Sequence, residues 1–153
     1  MFARLIFTAV NFAARNGLTE DSASAKSQSR STGIRGETYA YWYLRRHGYT
    51  LVARNYTVPG IKGEIDMIGY DGPALAFVEV KTRSSSIAES TPEDAVNADK
   101  RRNLSRMARQ FLRSRRIDSA NCRFDVLAIE SRAGKKPVVR LHKSAFGMAP
   151  TSP

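Results

Sequence analysis

Between Gly63 and Lys81, two short apolar runs flank an Asp71-Gly72-Pro73 turn: Glu64-Ile65-Asp66-Met67-Ile68-Gly69 before it and Leu75-Ala76-Phe77-Val78-Glu79-Val80-Lys81 after it. Runs of this length, rich in β-branched and aromatic residues and bounded by Gly and Pro, predict two adjacent β-strands. Side chains alternate faces along a strand, so Glu79 and Lys81 point one way while Val78 and Val80 pack on the other. Asp66 is then expected to meet Glu79 across the hairpin. Glu64 shares a face with Asp66. It is either a further carboxylate of the same site or an edge residue paired with Lys62 or Arg54, and a supporting role is the expectation.

The flanking segments fix the fold class. Leu51 to Tyr56 predicts a first strand, and the short turns at Pro59-Gly60 and Asp71-Gly72-Pro73 predict an antiparallel meander. Before it, Tyr39, Ala40, Tyr43 and Leu44 recur at helical spacing over Gly33 to His47, with Gly48 as a stop signal. Tyr41 and Trp42 suit either core packing or a stacking surface, with core the expectation. After a Ser-rich loop, Thr91-Pro92-Glu93-Asp94 has the pattern of a helix start, with Thr91 as N-cap. Ala95, Val96, Leu104, Met107, Ala108, Phe111 and Leu112 then form an apolar stripe. Phe124 to Ile129 predicts a fourth strand, and Val138 to Leu141 a fifth. The expectation is an α/β fold, a mixed sheet flanked by helices. A chain of 153 residues with 42% hydrophobic residues is sized for one core.

Carboxylates beside a lysine on adjacent strands suit a magnesium centre. Mg²⁺ takes hard oxygen ligands, with one or two protein carboxylates completed by water and phosphate oxygens. Asp66 and Glu79 are the candidate metal ligands. Lys81 is placed to orient a water or to offset charge on a phosphate. The Glu79-Val80-Lys81 triplet alone equally suits the solvated face of an amphipathic strand. A second acid on the neighbouring strand favours the site, because a half-buried pair of carboxylates is costly without a cation. Glu37, in the first helix, either reaches this site or serves as an acid in the first helical turn, worth about 0.3–1 kcal/mol through the helix dipole.

The formal charge of +11 points to a polyanionic partner, with nucleic acid the leading candidate. Charge alone would equally suit a ribosomal protein or a binder of anionic membranes. The basic side chains gather on the long second helix, where Lys100, Arg101, Arg102, Arg106, Arg109, Arg113, Arg115 and Arg116 face only Asp99. Such a block repels itself unless it is solvated or meets phosphates. One cysteine, Cys122, excludes an intramolecular disulfide and a cysteine-based zinc site, and a cytoplasmic location is expected. The two histidines, His47 and His142, are expected to be structural or surface residues. Asp125 is expected to pair with an arginine such as Arg123.

Residues 1–32 are expected to form an N-terminal extension and flexible linker, 33–147 the folded domain and 148–153 a disordered tail. Met1 to Gly17 could form a short amphipathic helix, too short and interrupted to span a membrane. Ala23-Ser24-Ala25 resembles a signal cleavage site, but Asn11 breaks the apolar stretch and Glu20 and Asp21 intervene.

The run Gly36-Glu37, Arg54-Asn55, Gly63-Glu64-Ile65-Asp66, Val78-Glu79-Val80-Lys81-Thr82-Arg83 and Ala95-Val96 with Lys100 resembles the YraN-like family. That family is a largely uncharacterised branch of the restriction-endonuclease-like, or PD-(D/E)xK, superfamily, similar to archaeal Holliday junction resolvases. The resemblance implies an αβββαβ core and Mg²⁺-dependent hydrolysis of DNA phosphodiesters, with Mn²⁺ as an alternative ion. It puts Asp66, Glu79 and Lys81 in the superfamily's acid, acid and lysine positions, Glu37 as the helix-borne acid and Lys100 as a helix lysine near the site. Arg83, Lys100, Arg101, Arg102, Arg106 and Arg109 become the candidate nucleic-acid contacts. A homodimer and a role in repair or recombination are further implications. Ile65 replaces the superfamily's proline, and Ser84 to Ser90 lacks the family's loop glycine, which bears on substrate contacts in that loop. Two readings stand beside it: a non-catalytic nucleic-acid-binding module of this fold, and a partner in a DNA-processing or membrane-associated machine.

Overall fold

The computed structural model describes residues 25–83, 96–130 and 135–150, with side chains of the first helix described from residue 36 onward. Its elements are α1 (Ala25–Arg46), β1 (Thr50–Tyr56), β2 (Ile65–Asp71), β3 (Ala74–Arg83), α2 (Ala98–Arg115), a 3₁₀ turn (Ser119–Asn121), β4 (Cys122–Glu130) and β5 (Val138–Phe146). The strands form one sheet in sequence order. β1, β2 and β3 make the expected antiparallel meander, and β4 lies parallel to β3. A parallel neighbour needs a long crossover, and α2 lies in that connection. β5 returns antiparallel to β4. This mixed sheet flanked by helices is the expected fold class and is compatible with a restriction-endonuclease-like core.

Period-two alternation on β3 divides the core. Ala76 and Val78 join Tyr39, Ala40 and Leu44 of α1 together with Met67 and Leu127. Leu75 and Phe77 join Leu104, Met107, Ala108, Phe111 and Leu112 of α2 with Phe124 and Val126. Ring contacts run through this second layer from Tyr56 to Phe111, Phe77, Phe124 and Phe146. Continuing the alternation, Glu79 and Lys81 belong to the α2 face of β3.

Gly48 ends α1 as expected. It takes φ +91°, its N–H donates to the Arg45 carbonyl (3.3 Å), and the Tyr49 N–H donates to the Leu44 carbonyl (3.0 Å). This paired closure needs a left-handed residue, and glycine adopts that conformation without a Cβ clash. The other end of α1 departs from the sequence reading. A linker was expected through Thr32, yet the helix begins at Ala25. Gly33 and Gly36 cost the helix about 1 kcal/mol each relative to Ala, but no Pro interrupts Ala25 to Arg30, so a helix nucleated on the sheet propagates back through them. Glu37 therefore lies well beyond the first turn, and the helix-dipole explanation for this acid fails.

The start of α2 also moves. Asn97 is its N-cap, with Oδ1 accepting the Lys100 N–H at 2.9 Å. Asn caps a helix as well as Thr does. Val96, expected inside the helix, is instead buried ahead of it, and its carbonyl accepts from Arg101 Nε at 2.7 Å. The helix start expected at Thr91-Pro92, the loop 84–90 and the N-terminal amphipathic segment lie outside the described residues. β5 runs past Leu141 to Phe146 because a register shift between Phe124 and Val126 absorbs Lys143, Ser144 and Ala145. Ala149, in the expected tail, is bound to α2: its N–H donates to Ser105 Oγ (2.9 Å) and its carbonyl accepts from Arg109. Among the described residues, no helix is long and apolar enough to cross a membrane.

Candidate functional site

The site forms where β2 and β3 part. Their ladder runs from Asp71–Ala74 to Met67–Val78. One step further, where Asp66 would stand opposite Glu79, the Val80 N–H instead donates to Asp66 Oδ2 at 2.6 Å. The Asp66 side chain thus satisfies a backbone donor that the ladder leaves open. Gly63, with φ +98°, turns the chain into β2 and sets Glu64 beside Asp66. α1 brings in Glu37 from the other side. Its close approach depends on Gly36, where a Cβ would stand 2.1 Å from Thr82 Oγ1 on β3. One carboxylate oxygen each from Glu37, Glu64 and Asp66 lies within 4.8 Å of the others.

Glu79 stands outside that trio, only 3% exposed. Its Oε1 meets Lys81 Nζ at 3.0 Å and Lys100 Nζ from α2. Its Oε2 is buried and, among the described residues, has no hydrogen-bond partner. A buried carboxylate oxygen without a partner carries a full desolvation cost. Asp66 responds to the same surroundings. Burial, and next the charge of Glu79, push its pKa up from 3.8 to about 7, against the opposing pull of the Val80 N–H and Lys100. Burial by itself would lower the pKa of Lys100, but the charge and hydrogen bond of Glu79 outweigh it and hold the amine above its usual value. Four carboxylates thus face two ammonium groups inside a chain of formal charge +11, and that local deficit favours a cation.

Each side chain expected here from the sequence is accounted for. Asp66, Glu79, Lys81, Glu37, Glu64 and Lys100 converge, with Glu64 joining the carboxylates. Asn55, part of the run that carries the family resemblance, was given no role. It sits in β1 with φ +47°, and its Nδ2 donates to Glu37 Oε2 at 3.0 Å. A single Asn within an otherwise β-forming run was the signal for its conformation, since Asn tolerates the left-handed region better than most residues.

The basic residues divide. Arg101 packs over the Phe146 ring and binds the Val96 carbonyl, and Arg109 holds Ala149, so both have structural partners. Arg102 pairs with Asp99 in the first turn of α2. Arg83 and Arg106 are exposed. Arg102, Arg106, Arg109 and Arg113 follow helical spacing on the side of α2 away from Leu104, Ala108 and Phe111.

The remaining buried acid belongs elsewhere. Asp125 is fully buried and accepts from Arg123 Nε (2.9 Å), Tyr49 Oη (3.2 Å) and the Ser144 N–H (2.9 Å). Arg123 also reaches Asp71 at 2.6 Å, and Lys143 reaches it at 2.5 Å. Hydrogen bonds from Lys143 and Arg123 lower the Asp71 pKa. This is the structural pairing expected for Asp125, and it locks the β4–β5 bulge. His47 stacks on Tyr43 (4.1 Å between centroids), and His142 pairs with Val126 in the sheet.

Fold and site together define a mixed α/β domain with a half-buried carboxylate–lysine cluster at the point where two central strands diverge. The chain belongs to the uncharacterised protein family UPF0102, whose profile matches residues 36–129. That stretch runs from the close contact at Gly36 to the end of β4 and contains every carboxylate of the cluster. A UPF0102 protein of Koribacter versatilis is 45% identical over 115 residues, covering 75% of this chain and 78% of that protein. A UPF0102 protein of Solibacter usitatus is 46% identical over 101 residues, covering 66% and 76%. Another from Symbiobacterium thermophilum is 42% identical over 118 residues, covering 77% and 98%.

Proposed function

We propose that this protein is a Mg²⁺-dependent DNA endonuclease that hydrolyses phosphodiesters and acts on DNA structure in repair or recombination. The observation that carries this reading is the buried Oε2 of Glu79, without a partner among the described residues, beside the trio of Glu37, Glu64 and Asp66. An all-oxygen donor set with one unsatisfied buried oxygen fits a hard divalent cation. Asp66 and Glu79 would hold it, with Glu37 and Glu64 binding its waters. Bound there, such an ion supplies a more acidic water and neutralises charge that develops on a phosphate.

The chain's own groups do the rest. Asn55 fixes the orientation of Glu37, and the Val80 N–H fixes that of Asp66. Lys81, at 3.0 Å from Glu79, is near enough to orient an attacking water or stabilise the phosphate oxygens. Lys100 brings a second ammonium group from α2 to the same point. The basic side of α2 would track the sugar–phosphate backbone. Such contacts position DNA without reading its bases, so selectivity rests on strand geometry. The cytoplasm is the compartment this reading requires, and a homodimer suits a substrate with paired strands.

One observation favours a second reading, a non-catalytic nucleic-acid-binding module. Lys81 and Lys100 already offset the charge of Glu79, and a fold-stabilising cluster would look the same. Cleavage decides between them. Labelled single-stranded, duplex, flap and four-way-junction DNA are incubated with the protein in Mg²⁺, Mn²⁺ or EDTA, beside Glu79→Ala. The nuclease reading expects metal-dependent cutting of a branched substrate that falls at least about a hundredfold in the variant. Binding of all four substrates with no cutting by folded protein would transfer the assignment to the binding module.

A further inference from the structure

Tyr41 and Trp42 of α1 pack against the cluster that buries Ala40 and Leu44, yet both remain partly exposed. Their rings meet edge to face, 5.0 Å apart at 89°. The Arg54 guanidinium of β1 lies over the Tyr41 ring, 4.9 Å from its centroid. Arg45, exposed, follows Tyr41 by four residues and Trp42 by three, which sets it one turn along the same side of the helix. Two aromatic rings with arginines beside them form a surface with both π-faces and positive charge. The core covers only part of these rings: both pack against the layer of Tyr39, Ala40 and Leu44, and both stay half-buried.

The position of this surface gives it a purpose. Arg54 precedes Asn55, which holds Glu37, and Glu37 lies one turn before Tyr41 on α1. The aromatic pair therefore adjoins the carboxylate trio on the α1 side, whereas Lys100 and the basic stripe of α2 lie on the other side of the sheet. We infer that Tyr41, Trp42, Arg45 and Arg54 form a subsite for an unpaired segment of a DNA strand, with its bases stacked on Tyr41 and Trp42 and its phosphates met by the two arginines. Stacking is indifferent to base identity and requires bases free of a duplex. This rests on the nucleic-acid reading above and deepens it. The substrate would be DNA with a single-stranded arm at the cleavage point, and not a continuous duplex.

Trp42 is the only tryptophan in the chain, so its fluorescence reports this surface alone. Wild-type protein is titrated in EDTA with an oligothymidylate and separately with a blunt duplex, with binding followed in parallel by anisotropy of labelled DNA. The expected result is quenching of Trp42 by the oligothymidylate but not by the duplex. Tyr41→Ala should weaken oligothymidylate binding about fivefold to a hundredfold. Tyr41→Leu, which keeps an apolar side chain against α1 but removes the π-face, should lose a similar factor, so the loss cannot be ascribed to unfolding. Arg54→Ala should weaken binding further and flatten its salt dependence. The subsite is refuted if the oligothymidylate binds without changing Trp42 emission, if duplex quenches equally, or if both Tyr41 variants bind as wild type does. Because no cleavage occurs in EDTA, these outcomes are independent of whether the carboxylate cluster cuts DNA.

Discussion

Asp66 concentrates the conflict of this site in one side chain. It is 8% exposed, accepts the Val80 N–H and faces the charge of Glu79. With its pKa pushed from 3.8 to about 7, the folded chain holds a proton between these values that the unfolded chain has released. The folded state then binds more protons, so stability without metal falls as pH rises from about 4 to 7. Asp66→Asn removes this titration. In EDTA, urea unfolding at pH 5, 6, 7 and 8 should show a descending limb for the wild type that the variant lacks, leaving the variant the more stable by a few kcal/mol above pH 7. A constant difference between the two proteins across that range would contradict the assigned shift. Sequence alone predicted that Asp66 and Glu79 share a neighbourhood. It could not predict that the strands part at that point, because a ladder's end is set by what the backbone N–H of Val80 finds to bind.

At the scale of elements, the site depends on how closely α1 lies against β3. Gly36 permits that approach, and a Cβ there would overlap Thr82 Oγ1 at 2.1 Å. Thr82 is β-branched and stiff at χ1, and its Cβ and Cγ2 would also stand 3.2 and 3.4 Å from the added carbon, so it has little room to give. Gly36→Ala should destabilise the fold by about 1–3 kcal/mol, the usual range for overpacking. It should also displace Glu37, the next residue. Thr82→Ala removes the opposing atoms. The double variant should therefore recover most of the loss, and a thermal-denaturation double-mutant cycle measures the coupling. Additive losses would mean that the helix and strand do not constrain each other here. The helical pattern of Tyr39, Ala40 and Leu44 was legible in the sequence, but the extension of α1 back to Ala25 was not. A Ser-rich stretch followed by Gly33 has no strong helix signal, so packing of the C-terminal half decides it.

At the scale of the whole molecule, charge is segregated. The carboxylate cluster lies at the strand divergence, and Arg102, Arg106 and Arg113 line one side of α2 over about 16 Å, from the helical rise. If this stripe meets a DNA backbone, the log of the binding constant falls linearly with log salt, by about 0.9 per neutralised phosphate. Replacing all three arginines with Ala should lower the slope by about 2 to 3 for any DNA sequence, as measured by anisotropy between 50 and 300 mM salt. An unchanged slope would remove α2 as the docking face. Arg101 and Arg109 are poor choices for this test because each also holds part of the fold.

The sequence by itself determined the parts governed by local periodicity and stereochemistry: the strand meander from alternating apolar runs, the amphipathic stripe of α2, the Gly48 stop, and the pairing of Glu79 with Lys81 two residues along one strand. Tertiary structure alone decided which distant groups meet. The Val80 N–H binds Asp66 where the ladder ends, Asn55 turns into a left-handed conformation to hold Glu37, and Asp125 gathers the Tyr49 hydroxyl and the Ser144 N–H beyond its expected partner Arg123. Local pattern limits each segment to a helix or a strand. The requirement that every buried polar group find a partner acts only after the segments have packed.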